Sequence, residues 1–155
     1  MPRKATQASP ERKKPRKTGM DTKAKTKRLE KQLDALWAQI VKSQWKNKCG
    51  WPGCDRVESL TSHHFFGKKA YGKRARWNLN NGFCACFYHH IGRIHQQGDV
   101  EPAREAIVQQ IGLDMFEQLK IDVQGIWKPT LDELTDLKEE FIAILDEIIT
   151  TEAGI

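Results

Sequence analysis

Residues 84–95 read CACFYHHIGRIH, a run holding two cysteines, Cys84 and Cys86, and three of the chain's five histidines, His89, His90 and His95. That is more donor groups than one metal ion takes, since a structural zinc site closes with four thiolate or imidazole ligands. Cys86 and His89 make a C-x2-H pair, and two residues three apart at the start of a helix lie on the same side of it. The two donors they lack stand upstream in KCGWPGCD, where Cys49 and Cys54 flank Gly50, Pro52 and Gly53, residues that permit a tight knuckle. A knuckle, two strands and a helix N-terminus then assemble a structural Zn2+ site from Cys49, Cys54, Cys86 and His89. The alternative is an all-thiolate set that pairs Cys84 with Cys86, because residues two apart in an extended stretch face the same side. In the first arrangement Cys84 is a small buried apolar residue.

Outward from this run, the chain is long enough for one compact domain with extensions at 155 residues. Its net charge of +6 conceals a strong asymmetry. Residues 1–48 carry 15 Lys/Arg against 4 Asp/Glu, residues 49–95 carry 7 against 2, and residues 96–155 carry 4 against 14. Two basic segments followed by an acidic one are the electrostatic footprint of a polyanionic partner, and nucleic acid is the commonest. No stretch approaches the roughly 18 apolar residues of a membrane span, so no membrane partner is expected. The N-terminus has no apolar run after its positive region, which makes a cytoplasmic, reducing compartment the expectation and metal the use for four cysteines.

Residues 1–22 are basic and nearly devoid of apolar side chains, the composition of a disordered arm. Residues 23–48 form an amphipathic helix, with Leu29, Leu33, Leu36 and Ile40 on one stripe widened by Trp37, Val41 and Trp45. The metal-bound core occupies residues 49–98. Within it SLTSHHFF is a strand, KKAYGKRARWN a basic loop and return strand, NLNNG a turn, and 87–97 a helix stopped by Gly98. Residues 99–128 are short helices packing on the core, the first capped by Asp99 with Pro102 in its first turn. Residues 129–150 form an acidic amphipathic helix opened by the capping box TLDE, with Leu134, Leu137, Phe141, Leu145 and Ile148 at near-heptad spacing. Such a stripe packs within its own chain or, together with the basic helix, provides a homodimer surface through the terminal helices.

The pattern SHHF, then Asn81, then C-x2-H followed directly by His90 resembles the HNH (ββα-metal) nuclease motif. LDALWAQIVKSQWKNKCGWPGC, RWNLNNG and IGLDMFEQLK make residues 29 to about 120 similar to the phage lambda NinG family of recombination endonucleases. Two positions depart from that pattern: His89 where the family usually has a second zinc cysteine, and His90 where such chains often have Asn. The resemblance implies an α+β fold, a small zinc-stabilised ββα-metal (treble-clef-like) core flanked by N- and C-terminal helices. It implies a DNA endonuclease of a phage-infected or lysogenic bacterial host, acting in recombination by nicking or branched-DNA cleavage and leaving 3′-hydroxyl and 5′-phosphate ends.

Residue by residue, the resemblance assigns His63 and His90 to a catalytic divalent ion, Mg2+, Mn2+ or another. His64 is the general base, a task suited to a group whose reference pKa is about 6.5, and it points to the opposite face of the strand from His63. Asn81, five residues before Cys86 as in the motif, steadies the loop carrying His64 or orients its ring. Asn78 and Asn80 compete for that position but read better as turn residues. His95 lies five residues after His90, roughly 140° around an α-helix, a poor angle for a third ligand. It reaches a phosphate or does nothing. Arg93 shares the face of His90 and serves as a phosphate contact, and Lys68, Lys69, Lys73, Arg74 and Arg76 contact the DNA backbone beside the cleavage centre. The competing reading is a non-catalytic zinc module that binds DNA or a protein partner, which leaves His63, His64 and His90 without a task.

Deleting residues 1–22 should weaken binding to duplex DNA and flatten its salt dependence, because the arm's cations release counterions from phosphate. Fluorescence anisotropy across a salt series checks it, with unchanged affinity at low salt as the contrary result.

Overall fold

The computed structural model describes residues 19–154. The mixed α and β architecture expected from the sequence is present, as helices around one two-stranded sheet. Helix α1, Gly19–Gln44, has no proline and buries Leu29, Leu33, Trp37, Ile40 and Val41 along one stripe. It starts earlier than expected, so residues 19–22 are helical and not part of an arm, while residues 1–18 lie outside the described region. It also ends four residues before Lys48. Lys46 and Asn47 adopt φ of 54° and 50°, turning the chain out of the helix and into the Cys49–Cys54 knuckle.

Strand β1, Leu60–His64, pairs antiparallel with β2, Gly82–Cys86, setting Thr61 opposite Ala85, Ser62 opposite Cys84 and His63 opposite Phe83. All five residues of β2 are buried. The hairpin's connection is not the loop and return strand expected of KKAYGKRARWN. Residues Lys68–Arg76 form helix α2, and the return strand begins only at Gly82. Lys, Ala and Arg are good helix formers. Gly72, which reads as a breaker, takes φ 69° and ψ −150°, outside helical geometry, and divides the segment into two short helical stretches across a kink. A 3-10 turn, Leu79–Asn81, then leads into β2.

Tyr88–Gln96 winds as a π-helix directly after β2. Helices α3, Glu101–Ile111, and α4, Leu113–Asp122, follow as expected for the 99–128 segment. Asp99, however, does not cap α3. Its carboxylate is taken by the Arg93 guanidinium, and Val100 stands at the N-cap without a side-chain bond. Helix α5, Leu131–Glu152, opens with the capping box: the Glu133 backbone N–H donates to Thr130 Oγ1 at 3.2 Å, and the Thr130 N–H donates to Glu133 Oε2 at 2.7 Å.

Two apolar clusters hold these elements. One joins Trp51, Phe83, Ala85 and Ile94 to Ile107, Phe116 and Leu119 of α3 and α4. The other joins the α1 stripe to Trp77 and to Leu134 and Phe141 of α5. The basic and acidic seams thus pack against each other within one chain, the first of the two arrangements the stripe allowed. No helix among the described residues is long and apolar enough to cross a membrane.

Helix α1 lies so close to the sheet that residue 82 has room only for hydrogen: a Cβ there would sit 2.2 Å from Val41 Cγ2. Gly82→Ala should therefore lower stability by about 1–3 kcal/mol, and adding Val41→Ala should recover part of the loss. Thermal unfolding of the single and double variants checks this. Additive losses would show that the two positions do not collide.

Candidate metal centre and histidine cleft

The knuckle is closed by a backbone bond from Cys49 N–H to Arg56 O in the loop that follows and tied to the sheet by one from Gly50 N–H to Cys84 O, both 2.8 Å. That anchoring brings Cys49 and Cys54 to the end of β2, where Cys86 is the last strand residue and His89 lies in the first turn of the π-helix. The donor atoms of Cys49, Cys54, Cys86 and His89 all lie within 4.8 Å of one another. His89 Nδ1 stands 3.2 Å from Cys86 Sγ and 3.6 Å from Cys49 Sγ. Ligands about 2.3 Å (S) and 2.0 Å (N) from a tetrahedral zinc ion stand roughly 3.5–3.8 Å apart, so the cluster has the donor chemistry and the size to hold a metal such as zinc. Trp51 stacks on the His89 ring at 4.6 Å and 8°, fixing its plane.

The thiols are not equivalent. Burial pushes Cys49 up to about 12, although the backbone N–H groups of Cys86 and Trp51 oppose it. For Cys86 burial also works upward, but the His89 N–H and the neighbouring Cys49 and Cys54 thiols outweigh it and leave the group lowered. A divalent cation at the centre would favour the thiolate form of all three cysteines. Cys84 stays out of this set. It lies in mid-strand opposite Ser62, fully buried, with its thiol pushed up to about 11 by burial. The all-thiolate alternative through Cys84 is not what the fold assembles.

A second cluster lies one residue further on. His63, His90 and His95 offer ring nitrogens within the same 4.8 Å limit, and His90 Nε2 and His95 Nε2 are 3.1 Å apart. This corrects the expectation that His95 is badly angled. In a π-helix the bonding runs from i to i+5, so residues five apart stand about one turn apart and share a face. The same winding carries Arg93 away. Its guanidinium pairs with Asp99 and lies over Trp51 at 5.5 Å, beside the cysteine cluster and not in the histidine cleft.

His63 is pushed down to about 3, chiefly by burial, with the charges of His90 and His95 adding to the effect. His90 is lowered by burial and by His95. Both are therefore neutral near pH 7, as ligands must be. Thr61 orients one of them. Its hydroxyl donates to Ala85 O at 3.2 Å, and its oxygen is 2.7 Å from His90 Nδ1, so a proton on Nδ1 completes the chain and leaves the Nε2 lone pair facing the cluster. Nothing in the sequence pattern singled out Thr61.

An open cleft of about 480 Å³ is lined by His63, His64, His90 and His95, with Lys68 and Lys69 at its edge. His64 also lines this cleft, but as strand alternation requires its ring turns to the α1 face, stacked on Trp37, while His63 turns to His90 on the other. Its Nε2–H donates to Arg76 O at 2.7 Å, which leaves Nδ1 as the free acceptor. Burial holds its pKa below the ordinary histidine value, the Arg76 carbonyl working against the shift. Asn81 is completely buried. Its Oδ1 accepts from Phe66 N–H at 2.7 Å and its Nδ2 donates to Phe66 O and Ala75 O, both at 2.9 Å, so it fastens the turn after His64 to the end of α2. Asn78 accepts from the Asn80 N–H as a turn residue.

The remaining cations are not gathered here. Lys73 and Arg76 are ion-paired with Glu30, and Arg76 also with Asp34, on α1. Arg74 lines a separate groove with Trp77 and Trp127. Helix α2, where a loop was expected, turns these side chains toward α1 and α5, leaving Lys68 and Lys69 as the cleft's cations from this segment. A slightly larger groove, about 550 Å³, runs between Asp55–Ser59 and Tyr88. It contains no converging set of donors apart from Cys86. No family model, curated protein or solved structure matches the chain.

Purified protein should contain one zinc per chain by elemental analysis, and Cys86→Ala should lose it together with the cooperative thermal transition. Cys84→Ala should keep the zinc and cost only about 1–2 kcal/mol of stability. Loss of zinc in Cys84→Ala would put that thiol in the site.

Proposed function

We propose that the protein is a metal-dependent endonuclease of the HNH type that hydrolyses DNA phosphodiester bonds. The observation that carries the reading is the convergence of three histidines, His63, His90 and His95, on one wall of a cleft that also holds His64 with a free Nδ1. The succession of knuckle, hairpin and helix around the Cys3His cluster supports the finer description, a zinc-stabilised ββα-metal core of treble-clef type.

A divalent ion bound by the three imidazoles would supply charge for the phosphate and for the departing oxygen. The all-nitrogen donor set suits Mn2+, Co2+, Ni2+ or Zn2+ better than Mg2+, which prefers oxygen ligands. His64 Nδ1 takes a proton from the attacking water as its oxygen bonds to phosphorus and the bond to the 3′ oxygen breaks. That oxygen then gains a proton from solvent, leaving 3′-hydroxyl and 5′-phosphate ends. Arg76 O holds the Nε2–H of His64 through the step and stabilises the imidazolium that forms. Lys68 and Lys69 neutralise phosphates at the rim without reading bases. The basic excess over residues 1–95 supports DNA as the partner, and the likeness to recombination nucleases supports a nicked or branched duplex as substrate.

Supercoiled plasmid with Mn2+ should be nicked, and His64→Ala should slow nicking about 100-fold or more, while His95→Ala should weaken the response to metal. His63, His64 and His90 all have pKa values below the unfolded 6.5, so each is neutral at pH 7 and gains a proton only below that value. Nicking should be level from pH 8 to about 6.5 and decline as pH falls further. Stability should decline in the same window, because there the unfolded chain binds the more protons. Absence of nicking, or full nicking by His64→Ala, would leave the non-catalytic zinc module as the better reading.

A further inference from the structure

Helix α1 lies outside the hairpin and helix that hold the donors, yet it covers one face of the His64 ring. Trp37 stacks on that imidazole face to face, with centroids 3.9 Å apart and planes 2° from parallel. The indole is itself fixed by its Nε1–H, which donates to Asn78 O at 3.0 Å. The edge of the His64 ring is set by the bond from Nε2–H to Arg76 O. That oxygen belongs to the peptide joining Arg76 and Trp77, and the side chains on both sides of this peptide end on one carboxylate. Asp34 accepts from Arg76 Nε at 2.8 Å, from Arg76 Nη2 at 2.7 Å and from Trp77 Nε1 at 3.0 Å. Asp34 and Trp37 are three residues apart on α1 and so lie on one face of it.

We infer that Asp34 and Trp37 are positioning residues of the active site, Trp37 fixing the plane of the His64 ring and Asp34 the carbonyl that fixes its tautomer. The inference rests on the endonuclease reading for the role of His64, but the clamp itself is a matter of geometry. Neither residue reaches the cleft, so neither touches DNA or metal. Their effect is exerted through one imidazole, whose Nδ1 must be aimed at the water for proton transfer to proceed. The paired hydrogen bonds from Arg76 to Asp34 also explain why this arginine is spent on α1 and is not left to phosphate.

The test is a set of cycles against His64. Asp34→Ala and Trp37→Leu should each lower kcat for plasmid nicking about tenfold or more while KM for DNA stays within about twofold. Trp37→Phe, which keeps a flat face, should recover most of the loss. In a His64→Ala background neither substitution should slow the residual rate more than about twofold. Equal slowing with and without His64 would overturn the inference, since it would mean general loss of packing. A second readout is independent of cleavage: the ring 15N shifts of His64 should report a proton on Nε2 in the parent protein and a mixture of tautomers in Asp34→Ala. Unchanged shifts together with unchanged kcat would also overturn it. If the parent protein cuts no DNA but Asp34→Ala still releases the tautomer, the clamp stands and the nuclease reading falls. Asp34 is about one-third exposed, so its variant is expected to fold and decides the matter where Trp37→Leu does not.

Discussion

The end of β2 is the point on which the rest of the structure depends. Cys86 closes the strand, His89 and His90 open the π-helix, and the knuckle donors Cys49 and Cys54 are held to the same place by bonds to the loop and to Cys84. Four donors converging within 4.8 Å fix the angle between a strand and the helix that follows it. A sheet of two short strands is marginal alone. Here it is covered by α1 on one side and by α3 and α4 on the other, and the donor cluster pins its open end. Because His90 is adjacent to His89, any tilt of that helix moves the second cluster as well. The Cys3His cluster and the histidine cleft therefore share one mechanical joint.

The winding of that helix decides which side chains meet. With α-helical geometry His90 and Arg93 would share a face and His95 would point aside. The π winding exchanges them, bringing His95 Nε2 to 3.1 Å from His90 Nε2 and handing Arg93 to Asp99 and Trp51. Two ring nitrogens that close are joined by an N–H···N bond between neutral rings, and with both rings carrying their proton on Nδ1 the same two lone pairs would face a cation. The wide turn is thus the local feature that converts a pair of histidines into a triad, in keeping with the frequent use of π segments at functional sites.

Sequence patterning was enough for the elements with strong periodicity or strong local chemistry. The α1 stripe, the capping box of α5, the β1 strand and the choice of Cys86 and His89 over Cys84 all follow from rules that act within a few residues. What escaped was settled at longer range. Gly72 in KKAYGKRAR suggests a break and does leave helical geometry, but the residues on either side of it are helical and Ala75 is buried against the core. The π turn has no compositional signature in YHHIGRIH. The partners of His64 are 12 and 27 positions away in the chain, on α2 and α1, and only the packing of α1 across the sheet brings Arg76 O and Trp37 to one ring.

Charge shows the same division between what a sum reveals and what a fold allocates. A surplus of Lys and Arg over residues 1–95 argues for a polyanionic partner irrespective of structure. Helix α2 then divides its own cations by direction. Lys73 and Arg76 meet carboxylates of α1 and are partly desolvated there, so their field is cancelled close to its source. Lys68 and Lys69 precede the kink, remain exposed, and stand at the mouth of the histidine cleft. Their positive field is added to that of any ion the triad holds, whereas the acidic residues of α5 are carried along α1. On the proposed reading, a phosphate would meet, among the described residues, a rim where Lys68 and Lys69 and the imidazoles of the cleft line the same opening. There the density of cations along the sequence, greatest before residue 49, matters less than which of them the fold leaves unpaired beside His64.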